Sequence, residues 1–290
     1  MSGKPAILVT GASSGIGEAA ARVAIARGAH VYASVRKAED GARLASTLGA
    51  SLTPVVFDVT DEAAVAAAAR AVAEQQQGRR LLGVVNNAGG SVPGPLLHMS
   101  AAELRAQMEV NLIGVHNVTC AFASLLGAEG ANQLASGAPG RFVMISSVGG
   151  RRALPFISAY AASKFALEGY SEGLRRELMP FGVDVIVIGP GAVKTAIWDK
   201  GLSFDQKRYA NSVYAPILKR FTEAVGAQAA GGLPADAVGT LIWKVLTDAA
   251  PKTRYAIMRD WLTGGVLPGF MAPRTLDRII AKRFGLNPKP

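Results

Sequence analysis

The amino-acid sequence predicts an α/β fold in which one parallel sheet is covered by helices on both faces. Three observations point to it. Short β-branched or apolar runs recur along the chain, each is followed by an Ala-rich stretch of helical character, and the runs are apolar almost throughout. A strand exposed on one face alternates, whereas a strand buried on both faces of a parallel sheet reads as a continuous apolar run. Right-handed crossovers then give a Rossmann-type, doubly wound sheet. With 290 residues, half of them hydrophobic and 18% charged, the chain is long enough for one large core, and neither a low-complexity break nor an internal repeat divides it. The expectation is a single domain over residues 1–258, with a substrate-cleft insert at about 195–233 and a tail at 259–290 of unassigned structure.

The elements follow in order. AILVT (6–10) reads as the first strand, and the stretch from about Ser14 to Arg27 as its helix. HVYASV (30–35) precedes a helix near 39–48, and LTPVVFDV (52–59) precedes one from about 61 to 77. LLGVVNN (81–87) leads through a Pro-Gly loop to a long helix from about Ala101 to Leu126. RFVMISS (141–147) comes before a helix over SAYAASKFALEGYSEGLRREL (158–178), where Leu167, Leu174 and Leu178 share a buried face. VDVIVIGPG (183–191) is the next strand. From Thr195 to about Leu233 the pattern lapses into an aromatic-rich insert with some helical stretches, and a helix at 235–248 and a strand at 254–258 resume it. The tail from Trp261 mixes basic and apolar residues; packing on a neighbour suits it best, cover for the cleft next, membrane contact least.

Thirty-one Lys and Arg against 21 Asp and Glu leave a net charge of +10. The basic residues are scattered singly or in pairs with no run of five and no nucleic-acid-binding motif, so a solvated basic surface is the reading and nucleic acid is not an expected partner. Cys120 is the lone cysteine and the three His are isolated, which excludes an intrachain disulfide and offers no metal-ligand spacing. MSGKPAILVTG runs straight into a strand without an apolar leader, and no uninterrupted apolar run reaches the ~18 residues of a membrane span. A cytoplasmic location is the expectation.

TGASSGIG (10–17) lies between the first strand and the first helix. Gly11 allows a tight turn, Gly15 lets backbone approach a pyrophosphate, and Gly17 permits close helix–strand packing, with the helix N-terminus meeting the phosphates. In that setting the glycine pattern points to a dinucleotide. The second strand ends ASVRK, placing Val35 and then Arg36 where an NAD site usually carries a carboxylate. A guanidinium suits a 2′-phosphate, so NADP(H) is favoured over NAD(H).

Tyr160 and Lys164 lie one helical turn apart near the start of their helix, and Ser147 ends the strand before it. Asn111 lies within the preceding long helix, where a polar side chain needs a reason. Strand ends are where such sheets bind ligands, so a hydroxyl, a phenol, an ammonium and an amide converge on one crevice. Hydride transfer at a carbinol carbon requires a proton to move on its oxygen. Tyrosine, at pKa about 10, is a poor base unless a nearby ammonium favours the phenolate. Ser147 is placed to hydrogen-bond the substrate oxygen, Lys164 to reach the cofactor ribose, and Asn111 to hold a water that relays the proton.

TGASSGIG, NNAG (86–89), Asn111, Ser147, YAASK (160–164) and PGAVKT (190–195) match, in order and spacing, the motif set of the short-chain dehydrogenase/reductase family, which the chain resembles over roughly residues 5–258. The resemblance implies an NAD(P)-dependent alcohol dehydrogenase or carbonyl reductase with Asn111, Ser147, Tyr160 and Lys164 as its catalytic set. It implies cofactor contacts from Gly11, Ser13, Ser14, Gly15, Ile16 and Gly17, from Asp58 and Val59 beside the adenine, and from Asn87, Ala88 and Gly89. It likewise places Pro190, Gly191, Val193 and Thr195 at the nicotinamide. Asp58 could instead cap the following helix, Pro190-Gly191 could be a plain turn, and Asn86 could serve the sheet. HVYASVRK, SSVGGR, the Tyr160 helix with PFGV, and KTRY are similar to the branch of retinol dehydrogenases and 17β-hydroxysteroid dehydrogenase type 1. Many NADP-using relatives carry a basic residue where this chain has Ser14, which leaves the phosphate to Arg36 with Lys37 or Ser13. The family commonly forms dimers or tetramers through the helices bearing Asn111 and Tyr160, so a homo-oligomer is expected.

Trp198, Leu202, Phe204, Tyr209, Tyr214, Leu218 and Phe221 give the insert an apolar, aromatic character that suits a bulky hydrophobic alcohol or ketone, steroid-, retinoid- or lipid-like. Leu96, Leu97, Gly149 and Leu154 add to that lining, with Ser147 and Tyr160 at its floor. The same aromatics would also pack a lid or a subunit contact. Two other functional classes stay open: a non-catalytic NADP(H) sensor and a lipid or steroid carrier.

Overall fold

The computed structural model describes residues 3–128, 137–195, 206–259 and 270–287. Seven strands form one sheet in the order β3-β2-β1-β4-β5-β6-β9, and every neighbouring pair is parallel. They are β1 (Ala6–Val9), β2 (His30–Val35), β3 (Leu52–Val56), β4 (Gly83–Asn86), β5 (Arg141–Ile145), β6 (Asp184–Pro190) and β9 (Arg254–Ile257). The helices between them are α1 (Gly15–Ala26), α2 (Ala38–Leu48), α3 (Glu62–Gln76), α4 (Ala101–Met108), α5 (Gly114–Leu126) and α6 (Ser158–Glu177). Within the insert lies α7 (Ala215–Ala230), and beyond it come α8 (Ala235–Thr247) and α9 (Pro273–Phe284). The strand order reverses between β1 and β4, and that reversal opens a crevice above the carboxyl ends of the strands.

Each strand supplies a core to both faces, as its continuous apolar run requires. On one face Leu8, Val84, Phe142 and Val185 pack with Val65, Val72, Val118, Phe122 and Leu167 of α3, α5 and α6. On the other, Ile7, Val9, Val85, Val143 and Ile186 pack with Ala20, Ala24, Leu44, Val238 and Ile242 of α1, α2 and α8. Asp61 caps α3 by accepting from the Ala64 amide at 3.0 Å, and Ser100 with Glu103 forms a capping box on α4. Asp58 is therefore not the cap of α3; its carboxylate accepts from the Thr60 amide and hydroxyl instead.

The long helix from Ala101 to Leu126 is broken only by a π-helical turn at Glu109–Ile113, which carries Asn111. By length and mean hydropathy alone this helix is apolar enough to cross a membrane, although no uninterrupted apolar run in it is that long. Here its Val115, Val118, Phe122 and Leu126 are committed to the core. A two-stranded ribbon, β7 (Val193–Lys194) with β8 (Leu233–Pro234), clasps the two ends of the insert together. Within the insert α7 is a regular 16-residue helix, and the described part of the tail, unassigned from sequence, contains α9.

Candidate active site

The glycine turn is held to the end of β4 by side chains on both sides. The Thr10 hydroxyl accepts from the amides of Asn87 and Ala88 at 2.9 and 3.0 Å, and Asn87 Nδ2 donates to the carbonyls of Thr10 and Gly11. Gly11 has φ +62°, and a Cβ on it would stand 2.9 Å from Ala88 Cα. Gly15 also has a left-handed backbone, φ +60°, and a Cβ there would meet Thr195 at 3.1 Å. Gly17 would press a Cβ to 2.3 Å from the Gly11 carbonyl, so it sets how closely α1 approaches the turn. Asn87 thus serves the turn through its side chain, while Asn86 donates to Thr119 on α5 and to Met144 on β5. Ser14 begins α1 without a side-chain capping bond, and Ile16 packs on the core below.

Arg36 and Lys37 are exposed beyond β2. Asp58 sits below the usual carboxylate range, first because of the Thr60 amide and with Arg36 contributing, which puts Arg36 at this edge of the crevice. Val59 is buried and its carbonyl accepts from Asn117. Across the crevice Pro190 ends β6, Gly191 is pinned to Ile257, and Val193 is buried beside Thr195.

The other end of the crevice is built from side chains. Ser147 follows β5, and its Oγ accepts from the Gly149 amide at 3.0 Å. A Cβ on Gly149 would lie 3.3 Å from that Oγ and 3.4 Å from Tyr160 Cε1, so the missing side chain keeps space open beside both. Lys164 is buried, donates to the Ile145 carbonyl at 2.8 Å, and holds its Nζ 5.8 Å from the centre of the Tyr160 ring. Gly89 lies close to Asn111 and Lys164: a Cβ placed there would stand 3.1 Å from Asn111 Oδ1, a tight contact, and 3.7 Å from Nζ, an ordinary one. Asn111 is fully buried; it accepts from the Gly90 amide and donates both amide protons, to the Gly90 carbonyl and to Ser163 Oγ. That is the reason for a polar residue inside the helix, and it commits the donors of the side chain to the scaffold.

Electrostatics here departs from the sequence expectation. The Tyr160 phenol is pushed up, not down, because burial strips water from the phenolate, and its hydrogen bond with Ser147 offsets only part of that. Tyr160 as a whole residue is only part-buried. Lys164 falls to about 8, burial leading and Glu168 opposing it. Glu168 lies one turn beyond Lys164, receives Arg254 bidentately at 2.8 and 3.0 Å, and meets Arg151 at 3.3 Å. This bracket joins α6, the turn after Ser147 and the edge strand β9. Sequence reading missed it, together with Ser163 and with Gln107, which clasps Gly90 and Val92.

The insert corrects a second expectation. Tyr209, Leu218 and Phe221 do not line an open cleft; they are buried in a separate apolar cluster with Phe156, Val225 and Phe284. Rings run through it edge to face, from His98 to Tyr214 at 5.8 Å, Tyr214 to Phe156 at 5.8 Å and Phe156 to Phe221 at 5.4 Å, ending on Phe284 at 5.3 Å. This lid-like unit has its own core and is latched by Arg208 to Glu103 and to the His98 carbonyl. Leu154 packs against its edge, Leu96 and Leu97 are exposed, and Trp198, Leu202 and Phe204 lie outside the described residues.

Comparison with known proteins agrees with this geometry. The short chain dehydrogenase family matches residues 5–205. The NADPH-dependent 3-dehydrocapnine reductase of Ornithobacterium rhinotracheale is 35% identical over 275 residues, covering 95% of each chain. Retinol dehydrogenase 7 of Rattus norvegicus is 32% identical, over 92% of this chain and 86% of the relative. Among solved structures, a short chain dehydrogenase/reductase from Burkholderia phymatum in complex with NAD superposes with a TM-score of 0.72 at 26% identity, over 88% of each chain.

Proposed function

The chain belongs to the short chain dehydrogenase family of NAD(P)-dependent oxidoreductases, and from that premise we propose that it reduces a bulky hydrophobic ketone or aldehyde with NADPH, using Tyr160 as the proton donor. The observation that carries the reading is the meeting of Ser147, Tyr160 and Lys164 at the carboxyl end of β5, braced by Asn111 from the π turn.

The crevice fits a dinucleotide. Gly11 and Gly15 keep it free of side chains where a backbone approach is needed, α1 begins there without a capping side chain, and Arg36 stands at the ribose edge. When bound, NADP(H) supplies or accepts the hydride. Tyr160 gives its proton to the substrate oxygen; burial keeps the phenol protonated until then, and the charge of Lys164 beside it favours release of the proton. Ser147 hydrogen-bonds the same oxygen, Lys164 places positive charge beneath the phenol, and Asn111 holds the Gly90 segment against α6. The similar 3-dehydrocapnine reductase is NADPH-dependent, which supports the cofactor proposed, and the relative from Rattus norvegicus is a retinol dehydrogenase, which supports a hydrophobic substrate. Exposed Ile113 and Phe165, beside the joined faces of α5 and α6, support pairing of two copies through those helices.

The test is oxidation of NADPH by the purified protein across aldehydes, retinoids and keto-steroids, with NADH in parallel, followed by nicotinamide absorbance. Turnover of a bulky carbonyl with preference for NADPH is expected. Turnover confined to small polar carbonyls would remove the substrate class, and equal use of NADH would remove the cofactor preference.

A further inference from the structure

The glycine turn of this chain, TGASSGIG, carries no basic residue, yet a cation reaches it from another element. Arg43, on the second turn of α2, donates through Nη2 to the Ser13 carbonyl at 2.5 Å and meets Glu18 Oε2 at 3.1 Å. Its side chain is 45% exposed, and among the described residues its Nε and Nη1 have no protein partner. The turn itself crosses the end of β2, because the Ala12 amide donates to the Ser34 carbonyl at 2.9 Å. Ser13, one residue on, therefore lies over the strand end from which Arg36 emerges. Two guanidiniums, from β2 and from α2, flank the same corner of the crevice. Glu18 partners Arg43 through one oxygen, and Asp58 feels Arg36 from the other side.

We propose that Arg43 is a second cation for the 2′-phosphate of the adenosine ribose, acting with Arg36 and replacing the basic residue that the glycine turn lacks. The inference rests on the NADP(H) reading above and names the residue that sharpens it. A phosphate monoester presents three oxygens and nearly two negative charges, which one exposed guanidinium only partly satisfies. Arg36 approaches from the strand end. Arg43 approaches from the side of the turn, its orientation fixed beforehand by the Ser13 carbonyl, so its free N–H groups need no reordering when an anion arrives. An unphosphorylated ribose hydroxyl gives the same groups nothing to neutralise. Arg43 therefore discriminates between the two dinucleotides without touching the reacting atoms.

The competing role is that of a strut, in which Arg43 merely ties α2 to the turn. A strut affects both dinucleotides equally. The experiment measures Kd for NADPH, NADH and adenosine 2′,5′-bisphosphate by calorimetry on the intact protein and its Arg36→Ala, Arg43→Ala and Arg43→Lys variants. Arg43→Ala is expected to weaken NADPH and the bisphosphate by about tenfold, the scale of a charge-assisted hydrogen bond at a partly exposed site, and NADH by less than about twofold. Arg43→Lys keeps the charge and loses the fork, so it falls between. Parallel loss of NADPH and NADH in Arg43→Ala, or no loss in either, overturns the proposal. If the wild-type protein binds NADPH and NADH alike, the NADP(H) reading fails and Arg43 falls with it. If Arg36→Ala is selective and Arg43→Ala is not, only the role of Arg43 fails.

Discussion

The crevice and the lid adjoin each other and are built on opposite principles. In the crevice, buried polar groups hold one another: Asn111 with Gly90 and Ser163, Lys164 with Ile145, and Glu168 with Arg254. A buried polar group without its partner costs about 1–3 kcal/mol, so each bond of this kind fixes geometry closely. In the lid, stability comes from rings packed around Phe221 and Phe284, and any shape of similar volume would serve nearly as well. The difference separates chemistry from selectivity. Geometry held by partners suits a reaction performed at one point, whereas a cover held by packing can be altered without disturbing that point.

The largest expected effect breaks the crevice alone. Tyr160→Phe removes the proton donor while keeping the ring, and turnover should fall by about a thousandfold, within the range of general acid catalysis. Binding of NADPH should persist. Retained turnover in a preparation free of contaminating reductase would end the assignment of Tyr160.

An intermediate effect belongs to the lid. Phe221 is fully buried between Phe156 and Phe284, and Phe221→Ala should cost about 3–5 kcal/mol in the structure that contains it. Because the cluster is separate from the two cores of the sheet, the loss should appear as faster hydrogen exchange in α7 and α9, not in α6. KM for a bulky substrate should rise with Kd for NADPH unchanged. Uniformly faster exchange across α6 as well would show that lid and crevice are one cooperative unit.

The same contrast explains what could be read from the amino-acid sequence. The strands, the glycine turn, Ser147 and the Tyr160–Lys164 spacing were legible because each position admits few residue types and the spacing is set within one element. Arg43, Ser163, Gln107 and the Glu168–Arg254 pair were not, since each acts on a group brought near by the fold. Arg254 lies 86 positions from Glu168, and nothing local marks it. The lid aromatics looked like a cleft lining because residue type cannot tell a side chain facing a ligand from one facing another ring. The phenol of Tyr160 was misjudged for a related reason: the neighbouring ammonium is visible in the sequence, whereas the burial that raises the phenol is not. The tail was unreadable because Pro and Gly obscured a helix anchored by Phe284 alone among its buried residues.

The smallest effect concerns that burial and tests whether the bracket acts on the crevice electrostatically. Lys164 is lowered to about 8 by desolvation, with Glu168 holding it up. The charged ammonium is present below that value and is lost as pH rises through it, so kcat should decline on an alkaline limb near pH 8. Because its folded value lies below the ordinary lysine value of 10.5, the penalty of burying the ammonium is relieved as pH rises from about 8 towards 10.5, and stability should increase over the interval in which activity falls. Glu168→Gln removes the supporting charge, so the limb should move to lower pH. Arg254→Met leaves Glu168 charged but less neutralised, so the limb should move the other way, although both changes weaken the same brace. Opposite displacements of a few tenths of a pH unit are the expected outcome, since solvent near exposed Arg151 screens both changes and, in Arg254→Met, the remaining Arg151–Glu168 pair dilutes the effect further. Shifts in the same direction, or a limb that ignores both substitutions while turnover drops, would reduce the bracket to a mechanical brace between α6 and β9.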